Sequence, residues 1–232
     1  MKTHLWLSVH ALLVGLALAY AVKAEEGWIT IPIEKGLPGW KLKGQPEQSK
    51  WQVGTAAVDP NDPKSLICQP GGHELVNVGS RGVDIFTEQT FGDAIIELEV
   101  MVPQGSNSGI YVMGEYEIQI LDSYGKQTLG MGDMGAVYSM AVPKVNACKK
   151  PGEWQKYVIE YRAPKFDATG TKIANGRLVK VILNDQVIHE NLELKSQTPG
   201  GVTGKEAPRG PLMFQGNHGP VAYRNIRIKP LN

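Results

Sequence analysis

The sequence predicts an all-β protein, built as a two-sheet antiparallel β-sandwich or jelly roll. Beyond residue 24, no stretch of ten or more residues carries a convincing helical period. Apolar and polar residues instead alternate in short runs that end at turn residues. About a dozen such runs follow one another without a linker-like break or an internal repeat. A chain of this kind closes most economically as two sheets around one core.

The predicted strands follow from this alternation. The clearest is 93–103, where apolar residues occupy every second position and Glu97 and Glu99 stand between them. The complete set of predicted strands is 28–33, 51–58, 65–69, 74–78, 93–103, 108–113, 116–121, 135–140, 154–162, 178–183, 186–192, 211–215 and 222–229.

Turn signals connect these strands. Asn184-Asp185 lies between two β-rich runs and indicates a two-residue hairpin. Two connections are long, a Gly-rich one at 122–134 and another at 195–209. Long loops in a compact domain often carry function, although they also serve as plain surface connections.

The first 24 residues are typical of a secretory signal peptide. A short polar start precedes an apolar run at 5–19, and Val22-Lys23-Ala24 supplies small residues at the positions that a signal peptidase prefers. An uncleaved membrane anchor is the alternative, but the run is short for a full span. We therefore expect removal of residues 1–24, a single domain over 25–232, and a secreted or periplasmic protein.

Composition excludes several classes of protein. The 232 residues include 24 Lys+Arg and 23 Asp+Glu, for a net charge of +1, which gives no electrostatic reason to bind nucleic acid or an anionic membrane. Two cysteines are too few for a disulfide scaffold or a four-Cys zinc site. Export would permit a bridge between Cys68 and Cys148, and two free thiols fit equally well. The sequence has no nucleophile elbow, H-E-x-x-H, Walker loop or dinucleotide fingerprint.

Two adjacent predicted strands place polar side chains on one surface. Glu117 and Gln119 fall on one face of their strand, with isoleucines on the other, and the preceding strand places Asn107 and Tyr111 together by the same parity. Amides and carboxylates bind pairs of sugar hydroxyls, and an aromatic ring packs on the C–H face of a sugar. The surface therefore predicts carbohydrate binding. An ordinary solvated sheet face shows the same alternation.

A Gly-rich turn offers a second set of candidates. The strand at 211–215 ends at Gln215, and the turn that follows presents His218. Histidine carries protons near neutral pH. Asp122 follows Glu117 at an odd offset and reaches the same face only through a bulge. A divalent metal held by Glu117, Asp122 and His218 stays open, as does a purely organic acid–base pair.

Together these segments resemble a known family, the 3-keto-disaccharide hydrolase domain, long described as a domain of unknown function. The resemblance spans most of the chain after residue 24 and rests on four blocks. They are F-G-D-A-I-I-E-L-E-V at 91–100, N-S-G-I-Y-V through Y-E-I-Q-I-L-D-S-Y-G at 107–125, P-G-E-W-Q-K-Y-V-I-E-Y-R-A-P-K-F-D at 151–167, and G-P-L-M-F-Q-G-N-H-G through Y-R-N-I-R-I-K-P-L at 210–231.

The resemblance implies a concanavalin A-like lectin/glucanase sandwich with a concave sugar-binding face. It also implies a secreted enzyme that cleaves glycosides already oxidised at C3. Laminarinase-like glucanases of the same fold carry Glu-x-Asp-x-x-Glu, whereas this chain has Glu117-x-Gln119-x-x-Asp122, which disfavours a two-carboxylate retaining mechanism.

Three functions follow for this surface. The first is cleavage of 3-keto-glycosides by acid–base β-elimination and hydration, with Glu117 as base or acid and His218 as its proton partner. The other predicted site residues bind the sugar: Asn107, Tyr111, Gln119, Asp122 and Gln215. A non-catalytic carbohydrate-binding module is the second function, and a conventional retaining β-glucanase is the third.

Overall fold

The computed structural model describes residues 26–231 as a sandwich of two antiparallel sheets. The predicted signal peptide lies outside these residues. No helix within them is long and apolar enough to cross a membrane. The strands are β1 (Ile29–Thr30), β2 (Trp40–Lys43), β3 (Trp51–Asp59), β4 (Asp62–Asn77), β5 (Asp84–Phe91), β6 (Ala94–Met101), β7 (Asn107–Val112), β8 (Tyr116–Leu121), β9 (Gln155–Arg162), β10 (Lys165–Phe166), β11 (Lys172–Ala174), β12 (Gly176–Leu183), β13 (Gln186–Leu194), β14 (Gly210–Phe214) and β15 (Val221–Pro230). A short 3-10 helix spans Pro46–Gln48.

The two sheets differ in size. The large sheet has the order β13-β12-β9-β6-β15-β4-β3, with β1 paired to β15. The small sheet has the order β2-β5-β14-β7-β8, and β10 and β11 form a separate pair. In the small sheet, β14 lies between β5 and β7 although it follows both at a long distance in the sequence, so the sheet gathers residues that are far apart in the chain.

Alternating side chains build the core between the sheets. On β6, Ile96 and Leu98 are fully buried in the core, while Glu97 and Glu99 lie on the outer face and pair with arginines of β15. Each fully buried side chain of this size stabilises the fold by about 1.5–3 kcal/mol. The predicted all-β sandwich and the alternation in this strand are therefore confirmed.

The local predictions hold in part. The Asn184-Asp185 hairpin is confirmed, since both residues have positive φ (49° and 66°) between paired ends of β12 and β13. The predicted strand at 135–140 is wrong: the segment forms only isolated bridges through Val137. Positive φ values at Gly135 and Ser139 bend the chain out of an extended path at both ends of the segment.

Strands β2 and β5 were not predicted. Polar and apolar residues in Asp84–Phe91 do not alternate, because Asp84 is buried beside Ile85 and Thr87 is buried next to three exposed residues. The two predicted strands at 65–69 and 74–78 form a single strand, β4.

The two cysteines are not bridged. Both are free thiols. Cys68 packs in a small cluster with Val76 and Met101, whereas Cys148 packs against the main core. Burial raises the pKa of the Cys148 thiol to about 11, so this thiol stays protonated at neutral pH.

Candidate active site

The outer face of the small sheet carries the predicted polar surface. Ile118 and Ile120 of β8 are buried in the core, so Glu117 and Gln119 lie on the opposite face. Strand register pairs Tyr111 with Glu117 and Gly109 with Gln119. The predicted face assignment for these two strands is therefore confirmed.

A cavity of about 280 Å³ opens on this face. Its volume lies just below the roughly 300–1,000 Å³ range for small-molecule sites, which suits one sugar ring. Six of the seven predicted site residues line it: Asn107, Tyr111, Glu117, Gln119, Gln215 and His218. The strand order β14-β7-β8 explains this convergence, because it places Gln215 beside the β7–β8 pair.

Six further residues line the cavity that were not among the predicted site residues: Lys43, Asp84, Tyr138, Pro199, Gly200 and Asn217. Lys43 and Asp84 come from β2 and β5, the two strands that were not predicted. Pro199 and Gly200 belong to the long 195–209 loop, which therefore contributes to the cavity. Asn217 precedes His218 and contacts its ring nitrogen.

Glu117 is the most perturbed carboxyl group of the cavity. Its side chain is 2% exposed. Burial is the main cause that raises its pKa, to about 7; repulsion from Asp84 adds to the rise, and hydrogen bonding from Tyr111 opposes it. Gln215 Nε2 donates to Glu117 Oε1 at 3.3 Å. At neutral pH, Glu117 is thus divided between its two protonation states and can either accept or donate a proton.

Three residues that line the cavity also carry polar atoms without a protein partner. Asn107 Oδ1, Gln119 Oε1 and Gln215 Oε1 are buried and accept no hydrogen bond from the described residues. An unsatisfied buried acceptor costs about 1–3 kcal/mol, which a ligand can recover by donating to it. Three such acceptors in one small cavity match the hydroxyl groups of a sugar.

One wall of the cavity is formed by the 195–209 loop, held in place by Glu115. The buried Glu115 carboxylate accepts hydrogen bonds from the Thr203 backbone N–H and hydroxyl, both at 2.8 Å, and from the Gly204 N–H at 3.0 Å. The anchored loop then offers the Pro199 carbonyl oxygen to the Tyr111 hydroxyl at 3.1 Å. Glu115 and Glu117 are only two positions apart in the sequence, yet Glu115 fixes the loop and Glu117 faces the cavity.

A second wall is the turn that carries His218. The side-chain amide of Asn77 donates to the carbonyl oxygens of Gly216 and Gly219, and the Gly216 N–H donates to Asp84 Oδ1 at 3.0 Å. These bonds fix the turn from both sides. His218 itself is exposed, so it lies at the rim of the cavity.

Asp122 does not line the cavity. It follows the end of β8, and its Oδ2 accepts the Gly105 N–H at 2.9 Å. The β7–β8 register has no bulge to bring it onto the face of Glu117. Residues 26–231 contain no group of three His, Cys, Asp or Glu placed to hold a metal ion, so Glu117, Asp122 and His218 do not form the metal site considered from the sequence.

A second cavity, of about 360 Å³, lies on the outer face of the large sheet. Both of its carboxylates are paired with arginines of β15: Arg227 contacts Glu97 at 2.7 Å, and Arg224, outside the cavity lining, contacts Glu99 at 2.6 Å. Such a face is typical of a solvated antiparallel sheet. The cavity around Glu117 is therefore the candidate active site.

A β-sandwich with a polar, acid-containing sugar-sized cavity on one sheet defines a carbohydrate-active protein. Comparison with family models identifies the family. The 3-keto-alpha-glucoside-1,2-lyase-like domain matches residues 27–229, and the chain belongs to that family. The suspected relationship is thus confirmed over nearly all of the described chain.

Solved structures support the fold. A "putative glycosyl hydrolase" from Parabacteroides distasonis is 29% identical, with a TM-score of 0.68 over 89% of this chain and 84% of that chain. A second protein of the same description and organism is 19% identical, with a TM-score of 0.62 over 89% of this chain and 95% of that chain. Comparison with functionally curated proteins gave no match.

Proposed function

We propose that this protein cleaves glycosides whose sugar ring carries a ketone at C3. The observation that carries the proposal is Glu117, a buried carboxyl group with a pKa of about 7. Around it lie three residues whose amide oxygens accept no hydrogen bond and could accept one from a sugar hydroxyl. The family match and the glycosyl hydrolase relative support a carbohydrate substrate.

A ketone at C3 changes what the enzyme must do. It acidifies the C2 proton, because the enolate formed by proton removal is delocalised onto the C3 oxygen. The enolate then expels the C1 substituent, and water adds to C1 of the resulting enone, so that the net reaction is hydrolysis. This route needs one base and one acid, and no pair of carboxylates at the retaining distance.

The depth of each side chain suggests its role. Glu117 is buried and serves as the base at C2, whereas exposed His218 at the rim protonates the leaving oxygen. The sugar ring then occupies the interior and the leaving group points to solvent. Asn107, Gln119 and Gln215 bind ring hydroxyls through their unpartnered oxygens.

The test compares 3-keto-glucosides with their unoxidised parents, assayed for release of the aglycone. We expect turnover of the keto substrates only, and a loss of about 10²–10⁴-fold in Glu117→Gln. Glu88→Gln is the matched control, because Glu88 lies on β5 of the same sheet, is exposed and pairs with Lys41. Full activity in Glu117→Gln would overturn the assignment.

Ordinary glycoside hydrolysis is a second candidate, because Asp84 brings another carboxylate into the cavity beside Glu117. It differs from the retaining β-glucanase considered from the sequence, which required Asp122. The same assay separates the candidates: release from the unoxidised parents would favour hydrolysis by the Asp84–Glu117 pair. Binding of both sugars without turnover would identify a carbohydrate-binding module.

Export to the periplasm or the medium is part of the proposal. It rests on the signal-like sequence at residues 1–24. Expression of the full chain followed by fractionation and mass measurement tests it. We expect a mature protein that begins at Glu25 outside the cytoplasm; an intact chain that retains residue 1 would contradict cleavage.

A further inference from the structure

Lys43, at the end of β2, places a positive charge in the cavity. Among the described cavity-lining residues it is the one Lys or Arg. Its Nζ donates to the Gly200 carbonyl oxygen at 2.6 Å and lies 3.7 Å from Asp84 Oδ2, which is too far for a hydrogen bond. An ammonium group has three donors, so two remain for a bound ligand.

The cavity lining is rich in hydrogen-bond acceptors; the Asn107 and Gln119 amide N–H₂ groups are also donors, but they carry no charge. Asp84 and Glu117 are carboxyl groups, and the three amide oxygens described above lack donors. The Gln215 amide N–H is already directed to Glu117 and Tyr111. Acceptors of this kind hold sugar hydroxyls, but they repel an oxygen on which negative charge develops.

We propose that the Lys43 ammonium binds the C3 oxygen of the keto sugar and stabilises the enolate. The inference rests on the proposed function. As the base takes the C2 proton, the C2–H electron pair forms the C2=C3 bond and the carbonyl π pair moves to the C3 oxygen, where Lys43 donates to it. The oxygen pair then re-forms the C3 carbonyl, and the C2=C3 π pair forms the C1=C2 bond. The C1–O bond breaks with its electrons on the leaving oxygen, which is protonated.

A simpler role for Lys43 would be structural, as a tie between the Gly200 carbonyl and Asp84. The two roles predict different measurements. A structural tie would affect substrate binding and the wall of the cavity, whereas an enolate-binding group controls removal of the C2 proton. Lys41 offers a matched control, since it lies on the same strand and the same face but pairs with Glu88 in solvent.

The experiment isolates enolisation from bond cleavage. A 3-keto-1,5-anhydroglucitol has no leaving group at C1, so its C2 proton exchanges with solvent D2O through the enolate alone, and NMR follows the exchange. We expect Lys43→Met to slow enzyme-catalysed exchange by about 10²–10³-fold, the usual effect of removing one donor to a developing oxyanion. Lys41→Met should exchange at the wild-type rate.

A second readout uses a 3-keto-glucoside deuterated at C2. Lys43→Met should increase the isotope effect on kcat, because proton removal becomes the slowest step, with little change in KM. Wild-type exchange in Lys43→Met, or a raised KM without a larger isotope effect, would overturn the role of Lys43 and leave the proposed function standing. If the wild-type protein catalyses neither exchange nor cleavage, both the role of Lys43 and the proposed function are overturned.

Discussion

Gly109 on β7 lies against the Glu117 carboxyl group on β8. A Cβ atom at position 109 would come within 3.0 Å of Glu117 Cγ and Cδ, and closer still to Oε1. Non-bonded carbon atoms prefer separations of about 3.5–4.0 Å. The absence of a side chain at 109 therefore gives the Glu117 carboxyl group its position in the cavity.

Gly109→Ala should displace Glu117 and reduce activity. Misplacing a reacting group by about 1 Å can cost on the order of 10²-fold in rate, and overpacking a buried site lowers the free energy of unfolding by about 1–3 kcal/mol. Gly132→Ala is the control, because nothing lies within 4 Å of a Cβ there and its φ is ordinary. Aglycone release and denaturant unfolding measure both effects; unchanged kcat/KM in Gly109→Ala would contradict the contact.

Glu117→Gln should stabilise the fold at high pH while it removes activity. The pKa of Glu117 rises from its model-peptide value near 4.5 to about 7 on folding, so the folded state holds the proton more tightly. The free energy of unfolding of the wild-type protein therefore falls as pH rises from about 4.5 to about 7, and it stays low above that range.

The amide variant has no such loss. The free energy of unfolding of Glu117→Gln relative to the wild type should increase between pH 4 and pH 8, by on the order of 3 kcal/mol. Chemical denaturation at a series of pH values measures the difference. A constant difference across this range would show that the carboxyl group is not perturbed.

Much of this site was readable from alternation in the sequence. Glu117 and Gln119 were placed correctly because the isoleucines between and beyond them identify the buried face of β8. Asp84 was not found because β5 breaks the two-residue period with buried polar residues, and Lys43 was not found because β2 alternates over only four residues. Their contribution depends on strand order, which places β5 beside β14 and β2 beside β5 and leaves no local signal in the chain.

Asp122 shows the opposite error. Its spacing from Glu117 matched a glucanase-like motif only if a bulge shifted the strand, and β8 ends at Leu121 without one. The acidic partner in the cavity is instead Asp84, which lies 33 residues before Glu117. A carboxylate supplied by another strand of the sheet cannot be recognised from spacing within one strand.

Glu115→Gln should loosen the cavity wall without touching the substrate. The amide N–H₂ would face the Thr203 or Gly204 N–H, which now donates to the carboxylate, and a buried donor left unpaired costs about 1–3 kcal/mol. Backbone hydrogen exchange at 198–204 should increase, and KM should rise because Pro199 and Gly200 line the cavity. Glu190→Gln, an exposed residue paired with Lys144, is the control. Unchanged protection of the loop would show that Glu115 does not anchor it.

His218→Asn should affect substrates according to their leaving group. If His218 protonates the departing oxygen, alkyl 3-keto-glucosides should lose about 10²–10⁴-fold in kcat, whereas 4-nitrophenyl 3-keto-glucosides should lose little, because nitrophenolate departs without a proton. Exchange at C2 in the anhydroglucitol should not change, since no bond to a leaving group breaks there. His73→Asn, which alters an exposed histidine away from this cavity, should leave all three rates unchanged. Equal losses for both leaving groups, together with loss of exchange, would instead make His218 the base and leave Glu117 as the acid.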